Sequence, residues 1–593
     1  MWPFTNYPAH KAQDIGQLSD PIFDFIIVGG GTAGCCLASR LSEDPNVSVL
    51  LIERGPVSND WQAHVPVLSA NIYRPGAPAA IFPMSPLTHA NDRVVQAVIG
   101  EGLGGGSLIN GQIYTRGIAD YNKWKDMGRT NWGYDALEPY FVKSENALSQ
   151  PPSSFRGKDG LWLNQTFPTP FFETQRRVAE AAKKLGIPHI SDINSPHAPA
   201  VCLATVDLTI TPSAHRHSTF EAFLPLKVAQ TRKNLTLCTD TLVTGLKFSA
   251  DANSGAESLK AIGVYFEDTH LNNLSQRFCA SASREVILCA GAIGTPQILM
   301  LSGVGPKNHL LDLKLAVVKD LPGVGSYLKD HIGIPVSYEV PMHESVNCLK
   351  NSIPRALVEV AKYLLYGGGL LSIPVVPSTI YLRSSLLGES MEITETTPRD
   401  VDARNPDNIP DIEVMYFAHR ANEGEHSALD RVGVFSLLTV VAQPKSFGSV
   451  RLASPDPHAR AQIDLGYFSN PDDWVVARKA VRFALRLGQE VRTQGHPFKD
   501  LVVPESDDNA SIDEFIRQNL RTTYHYTSTC RMAPEDDPRP GVVDDELKVH
   551  GINGLRVSDC SIFPDILSAH PMAGAVVVAE KCADLIKKAH GIH

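Results

Sequence analysis

The sequence predicts an α/β fold that opens on a parallel β–α–β unit. Three observations predict it. Phe23–Val28 is an apolar run of strand length, Gly29, Gly31 and Gly34 follow it with GxGxxG spacing, and a second apolar strand, Val47–Ile52, ends in Glu53. Between them, Ala33–Ser42 reads as a helix. Glu53 lies 53 − 34 = 19 residues after the third glycine, the separation found in dinucleotide-binding units of this order.

Each of these residues has a physical task. Gly29 permits a tight turn, Gly31 lets a pyrophosphate approach the backbone, and Gly34 lets the helix pack close to the strand. The helix start at Thr32 and Ala33 offers free N–H groups and the positive end of a dipole to phosphate. Glu53, next to Arg54, can accept hydrogen bonds from both ribose hydroxyls. Its charge disfavours a 2′-phosphate, which argues against NADP.

Composition narrows the function classes. At 593 residues the chain holds several structural units, or one large enzyme of two interleaved domains. Hydrophobic residues make up 43%, enough for a core, which excludes a disordered chain. A net charge of −10 without a basic stripe argues against a nucleic-acid partner. The ten cysteines are too few for a disulfide scaffold and lack the paired spacing of a zinc site, so no metal is expected. Cys35 and Cys36, inside the first helix, read as small packing residues.

No segment reaches the roughly 18 apolar residues that span a bilayer. The N-terminus shows no basic region followed by an apolar one, which favours a cytoplasmic location; a secreted chain stripped of its leader is the other reading. Asn-x-Ser/Thr sequons at Asn46, Asn164, Asn234, Asn273 and Asn509 are close to chance in number and do not decide it. Oligomeric state is not legible.

Further motifs follow in order. Gly102–Gly106 places four glycines in five residues, within a stretch reading IGEGLGGGSLINGQIYTRG, and such a loop allows close backbone approach to a flat or anionic ligand. Asn234–Phe248 alternates like a strand. Glu285–Ala290 is an apolar strand, and GAIGTPQILMLSGVGP after it opens a helix. LPGVGSYLKDH, YHYTSTCRM and DCSIFPDILSAHPM complete the set.

Taken together, these motifs resemble the glucose–methanol–choline (GMC) flavoprotein oxidoreductases over about Phe23 to Ile586. The resemblance implies FAD and a discontinuous, Rossmann-like FAD-binding domain at 20–60, 92–150, 225–335 and 535–593. An α+β substrate-binding domain with an antiparallel sheet would occupy 151–224 and 336–534, including strands at Asp411–Phe417 and Val434–Ala442 and a helix at Ala477–Glu490. The Pro- and Ala-rich stretch 61–91 is expected as an active-site lid, and 388–410 as an exposed loop.

The resemblance also implies the cofactor contacts. Besides Gly29, Gly31, Thr32, Ala33, Gly34, Glu53 and Arg54, it assigns Gly104, Gly105, Ser107, Asn110, Gly111, Val243 (near adenine), Ala290, Asp559, Cys560, Pro571 and Met572. Some members attach the flavin through a histidine directly before the loop asparagine. Here Ile109 holds that place, so FAD is expected to bind noncovalently. The chain departs from the family pattern at Gly106, where a serine is usual, at Glu101, where a basic residue is usual, and at Ser528, which replaces a glycine.

His525 and His570 match the family's catalytic pair. Removing a hydroxyl proton while hydride leaves the carbon for flavin N5 needs a base that titrates near neutrality, and histidine is that side chain. His525 is expected as the general base and His570 as the hydrogen-bond partner of the substrate oxygen. Asp330-His331 reads as structural, because neighbouring residues rarely point together and the family's aspartate braces the FAD domain. Cys530 and Cys560 read as packing. The expected substrate is a small alcohol, aromatic or otherwise apolar, because the 61–91 segment is apolar. Oxygen or another acceptor would take the electrons. A lyase or cyclase retaining FAD as a structural part is the alternative.

Overall fold

The computed structural model describes residues 7–18, 21–58, 60–69, 71–167, 170–249, 259–269, 276–374, 376–394, 396–421 and 431–592. The sequon at Asn273 lies outside them.

The apolar run at the N-terminus forms the strand Ile22–Val28, and the helix after it spans Thr32–Leu41. Ile22–Val28 lies in the middle of a sheet, flanked in parallel by Val49–Ile52 and by the second half of Phe278–Leu288. Leu235–Cys238 extends the sheet beyond Val49–Ile52, and Leu555–Val557 pairs in parallel with Val286–Leu288. Parallel strands buried on both faces read as continuous apolar runs, as VLLI does here. The two glycines at the first turn are sterically fixed. A Cβ on Gly34 would stand 1.9 Å from the Gly29 carbonyl oxygen, and Gly29 itself sits at φ +102°. That contact seats the helix on the strand.

The long strand Phe278–Leu288 serves two partners. Its first half runs antiparallel to Ala261–Asp268, which pairs with Thr241–Phe248. The 234–248 stretch, expected as one strand, is therefore two. Asp240 at φ +51° breaks it, a conformation that Asp tolerates better than most residues. The first piece joins the parallel strands and the second turns into the antiparallel ribbon. The C-terminal helix Pro571–His590 closes this half of the molecule against Thr32–Leu41, joined by a buried Arg40–Glu580 pair at 2.7 Å.

A second sheet is antiparallel through most of its width, in the order Lys499–Val502, Ile332–Val340, Gly433–Val441, Ile412–Phe417, Ser378–Leu382, Cys202–Thr205. The helix Asp472–Thr493 packs on one face through Ala477, Ala480, Val481, Ala484, Leu487 and Val491, a spacing that keeps them on one stripe. Strand side chains alternate between faces. In Ile412–Phe417 this sends Ile412, Val414 and Tyr416 to the core shared with that helix and Met415 and Phe417 to the opposite core. Glu413 shares the second face by the same alternation, which sets up the site. The 61–91 stretch is more structured than a loop: short helices at Trp61–His64 and Pro66–Ser69, then a strand, Ala79–Pro83, paired with Gln96–Gly100.

Candidate active site

A cavity of about 670 Å³ lies at the carboxyl ends of the parallel strands and extends to the antiparallel sheet, a size within the roughly 300–1,000 Å³ of small-molecule sites. Gly29, Gly31, Thr32, Ala33, Glu53, Arg54, Gly105, Asn110, Gly111, Val243, Ala290, Asp559, Cys560, Pro571 and Met572 line it, with His525 and His570. Gly34, Gly104 and Ser107 do not. Gly34 faces the strand behind it. Ser107 is turned inward, donating to the Gly104 carbonyl at 2.7 Å and accepting from the Thr219 amide at 3.0 Å.

The nucleotide end fits a dinucleotide. The helix Thr32–Leu41 starts at Gly31 with no side chain capping it, so its first amides point at the cavity. The nearest neighbours of a Cβ on Gly31 stand 3.9 Å away, which leaves its face open. Glu53 accepts amide hydrogen bonds from Gly30, Gly55 and Gly102 at 2.7, 2.8 and 3.2 Å. It ties three loops together and keeps a lone pair toward the cavity. Burial pushes its carboxyl above the ordinary value despite those amides. Glu101 sits between Arg54 at 2.8 Å and Arg460 at 3.3 Å, which offsets its charge in this wall. Asp559 accepts from the Gly291 amide at 2.9 Å and the Thr295 hydroxyl at 2.6 Å, capping the helix Gly291–Leu301.

At the other end three histidines meet. His525 and His570 rings stand 4.7 Å apart, edge to face. His331, which reads as structural in the sequence, joins them. Its Nδ1 is 2.9 Å from His525 Nδ1, and its Nε2 is 2.8 Å from the Leu567 carbonyl oxygen. A carbonyl only accepts, so His331 Nε2 carries a hydrogen. Burial pushes His331 down to about 4, which keeps it neutral and its Nδ1 bare. His525 must then donate from Nδ1, leaving Nε2 as the nitrogen with a lone pair. Thr523 agrees: its hydroxyl reaches the His331 carbonyl at 3.3 Å and lies 3.2 Å from His525 Nδ1. Asp330 braces the same loop, accepting from the His525 amide at 2.7 Å and from the Tyr467 and Thr522 hydroxyls at 2.5 Å each.

His570 has a different partner. Its Nε2 is 3.1 Å from Glu413 Oε1, a carboxylate that also accepts from Thr379 at 3.0 Å. Burial raises the Glu413 carboxyl, but His570, His331 and the Thr379 hydroxyl together hold the group below its ordinary value. Glu413 was not foreseen, and neither was Arg216. That arginine is buried and donates to Ala63 O, Ser107 O, Ser69 Oγ and both oxygens of Asn110, at 2.7–3.0 Å. It fastens the 61–69 segment to the glycine-rich loop. Tyr73 of the same region meets Tyr524, hydroxyl to hydroxyl, at 2.7 Å.

Two sequence profiles described as GMC oxidoreductase match residues 23–333 and 444–579. The chain belongs to the GMC oxidoreductase family. It is thus a flavoprotein oxidoreductase of the alcohol oxidase and dehydrogenase class. Among relatives of this GMC oxidoreductase, an oxygen-dependent choline dehydrogenase of Chromohalobacter salexigens is 32% identical over 574 residues, 95% of each chain. One from Burkholderia mallei is 32% identical over 576 residues, 95% of this chain and 94% of that one. A fungal aryl-alcohol oxidase superposes with a TM-score of 0.80 at 25% identity, covering 97% of this chain and 100% of the other. A formate oxidase of Aspergillus oryzae, studied for modification of its FAD, gives 0.83 at 25% identity, covering 97% and 99%.

The departures from the family pattern have structural readings in this GMC oxidoreductase. Ser528 sits at φ +71°, so the backbone keeps the left-handed turn that a glycine would favour. Ser528→Gly is expected to leave stability unchanged or raise it by up to about 1 kcal/mol. Relief of a strain of roughly 1–2 kcal/mol is offset by an unfolded-state entropy of about 0.4–1 kcal/mol. Ser528→Val, β-branched at a buried left-handed position, is expected to lower Tm by several degrees. Thermal unfolding of the holoenzyme checks both.

Proposed function

We propose that this GMC oxidoreductase oxidises the CH–OH group of a small, aromatic or otherwise apolar alcohol, with noncovalently held FAD. The observation that carries this reading is the hydrogen-bond chain from the Leu567 carbonyl through His331 to His525, which prepares one bare imidazole nitrogen beside a second histidine in one cavity. When bound, FAD supplies the hydride acceptor.

The chain's residues handle the proton. His525 Nε2 takes the hydroxyl proton as general base. His570, whose Nε2 stands 3.1 Å from Glu413, is the hydrogen-bond partner of the substrate oxygen and stabilises the developing alkoxide. Met415, Phe417 and Leu438 provide apolar wall beside the histidines, and Val67, Ile72 and Tyr73 provide it on the 61–91 side. Ile109, which lines the cavity before Asn110, has no nitrogen to bond a flavin, which supports noncovalent attachment. A quaternary ammonium would meet Lys350, Arg420 and Arg521 in the cavity wall, which places choline behind a neutral aryl alcohol. The relatives named above are dehydrogenases and oxidases, so a lyase or cyclase reading is not favoured.

The test is anaerobic titration of the purified yellow protein with benzylic and allylic alcohols, with glucose and choline as contrasts. Benzylic alcohols are expected to bleach the flavin band fastest, and admitted air separates an oxidase from a dehydrogenase using another acceptor. If dithionite bleaches the band and no alcohol does, the proposal fails. Denaturation is expected to release the flavin into the supernatant; flavin retained on the precipitated chain would overturn noncovalent attachment.

A further inference from the structure

The helix Ile353–Tyr366 (IPRALVEVAKYLLY) is amphipathic the wrong way round. At about 100° per residue, Arg355, Ala356, Glu359 and Tyr363 share one stripe, and Ile353, Leu357, Val360, Leu364 and Leu365 share the opposite one. The polar stripe faces the protein. Glu359 is 5% exposed and bonds the Leu370 amide at 2.7 Å and Lys362 at 2.7 Å, and the buried Tyr363 hydroxyl reaches the Ala214 carbonyl at 3.1 Å. The apolar stripe faces outward: Ile353, Leu364 and Leu365 are 75, 69 and 70% exposed. Scattered exposed leucines mean little, but a continuous apolar face of about 21 Å, at 1.5 Å per residue, marks a contact surface.

We propose that this face docks on an anionic lipid surface, with the helix lying in the plane of the interface. Among the described residues no helix is long and apolar enough to cross a membrane, so the mode is surface attachment. Charge chooses lipid over a second copy of the chain. Lys350, Arg355 and Lys362 lie on or beside this helix and Lys362 is paired with Glu359, the one acid there, so the segment carries 3 − 1 = +2 in a chain of −10. Two copies meeting face to face would bring those cations together, whereas acidic headgroups complement them. Position supports the same occupant. The helix packs through Tyr363 beside Val65, Val67 and Leu68, and Val346, Asn347 and Lys350 just before it line the cavity, so the helix borders the cavity wall. Docking there would present the cavity to apolar solutes dissolved in the lipid.

The test is co-sedimentation of the holoenzyme with phosphatidylcholine vesicles, with and without phosphatidylserine. The wild-type chain is expected to pellet with the phosphatidylserine vesicles and to be released by high salt. Leu357→Glu/Leu364→Glu is expected to cut the bound fraction at least 10-fold while flavin content and bleaching by a water-soluble alcohol stay unchanged. Binding is read without turnover, so it stands or falls apart from the alcohol reading. Wild-type protein that stays in the supernatant with both vesicles overturns the proposal. So does a wild-type dimer in light scattering that the double variant converts to monomer, which would assign the face to a second copy.

Discussion

His525→Ala is expected to slow anaerobic bleaching of the bound flavin by about 10²–10⁴-fold, the range for loss of a general base, with flavin content unchanged. His331→Phe is expected to show a smaller loss of the same kind, because it removes the acceptor that holds His525 in the productive tautomer. The pH profile carries independent information. Burial, with the His570 and His331 imidazoles beside it, holds His525 well below histidine's ordinary value. The base must be unprotonated to act, so a lowered value preserves activity on the acid side. The reduction rate is expected to stay level through histidine's unperturbed value near 6.5 and to fall only at more acid pH. Stopped-flow absorbance measures it. A His525→Ala rate within a few-fold of wild type would remove the assignment.

Arg216→Ala is expected to cost about 3 kcal/mol or more of stability, because it strips charged-donor hydrogen bonds from several buried acceptors at once. Arg216 is buried among neutral partners, and desolvation pushes its guanidinium down to about 9, so it is still charged at neutral pH. Its bonds run to both the 61–69 segment and the glycine-rich loop. The variant is therefore expected to lose flavin on gel filtration as well as to unfold at lower temperature. Arg216→Lys, one point charge without the planar fork, is expected to recover part of both. Unchanged Tm and full flavin content in Arg216→Ala would show that the 61–69 segment is held otherwise.

The nucleotide end was legible because its chemistry is written in neighbouring residues: strand, three glycines, helix and terminal acid within 31 positions from Phe23 to Glu53. The histidine pair was legible through motif resemblance. Glu413 was not, although a lone acid inside the apolar run IEVMYF is a signal, since a buried carboxylate needs a partner. Its partner stands 157 positions away on another element, a distance that no local pattern encodes. Asp330 and His331 read as structural in the sequence, and the contact of both with the 522–525 loop, about 190 positions on, has no local signal. Ser107 was assigned by the resemblance, and its hydroxyl is engaged by the Gly104 carbonyl and by Thr219.

The parallel sheet has a consequence for synthesis. Val286–Leu288 find their outer neighbour only in Leu555–Val557, which leave the ribosome 557 − 288 = 269 residues later. At about 5–20 residues per second, a nascent chain carries that open edge for roughly 10–50 s. An uncovered apolar edge is a template for mispairing with other chains, so yield in a host is expected to depend on chaperone supply more than on final stability. Removal of the last forty residues deletes that strand, the helix that closes over Thr32–Leu41 and His570 together. The outer neighbour of Val286–Leu288 thus exists only once residues 555–557 have been made.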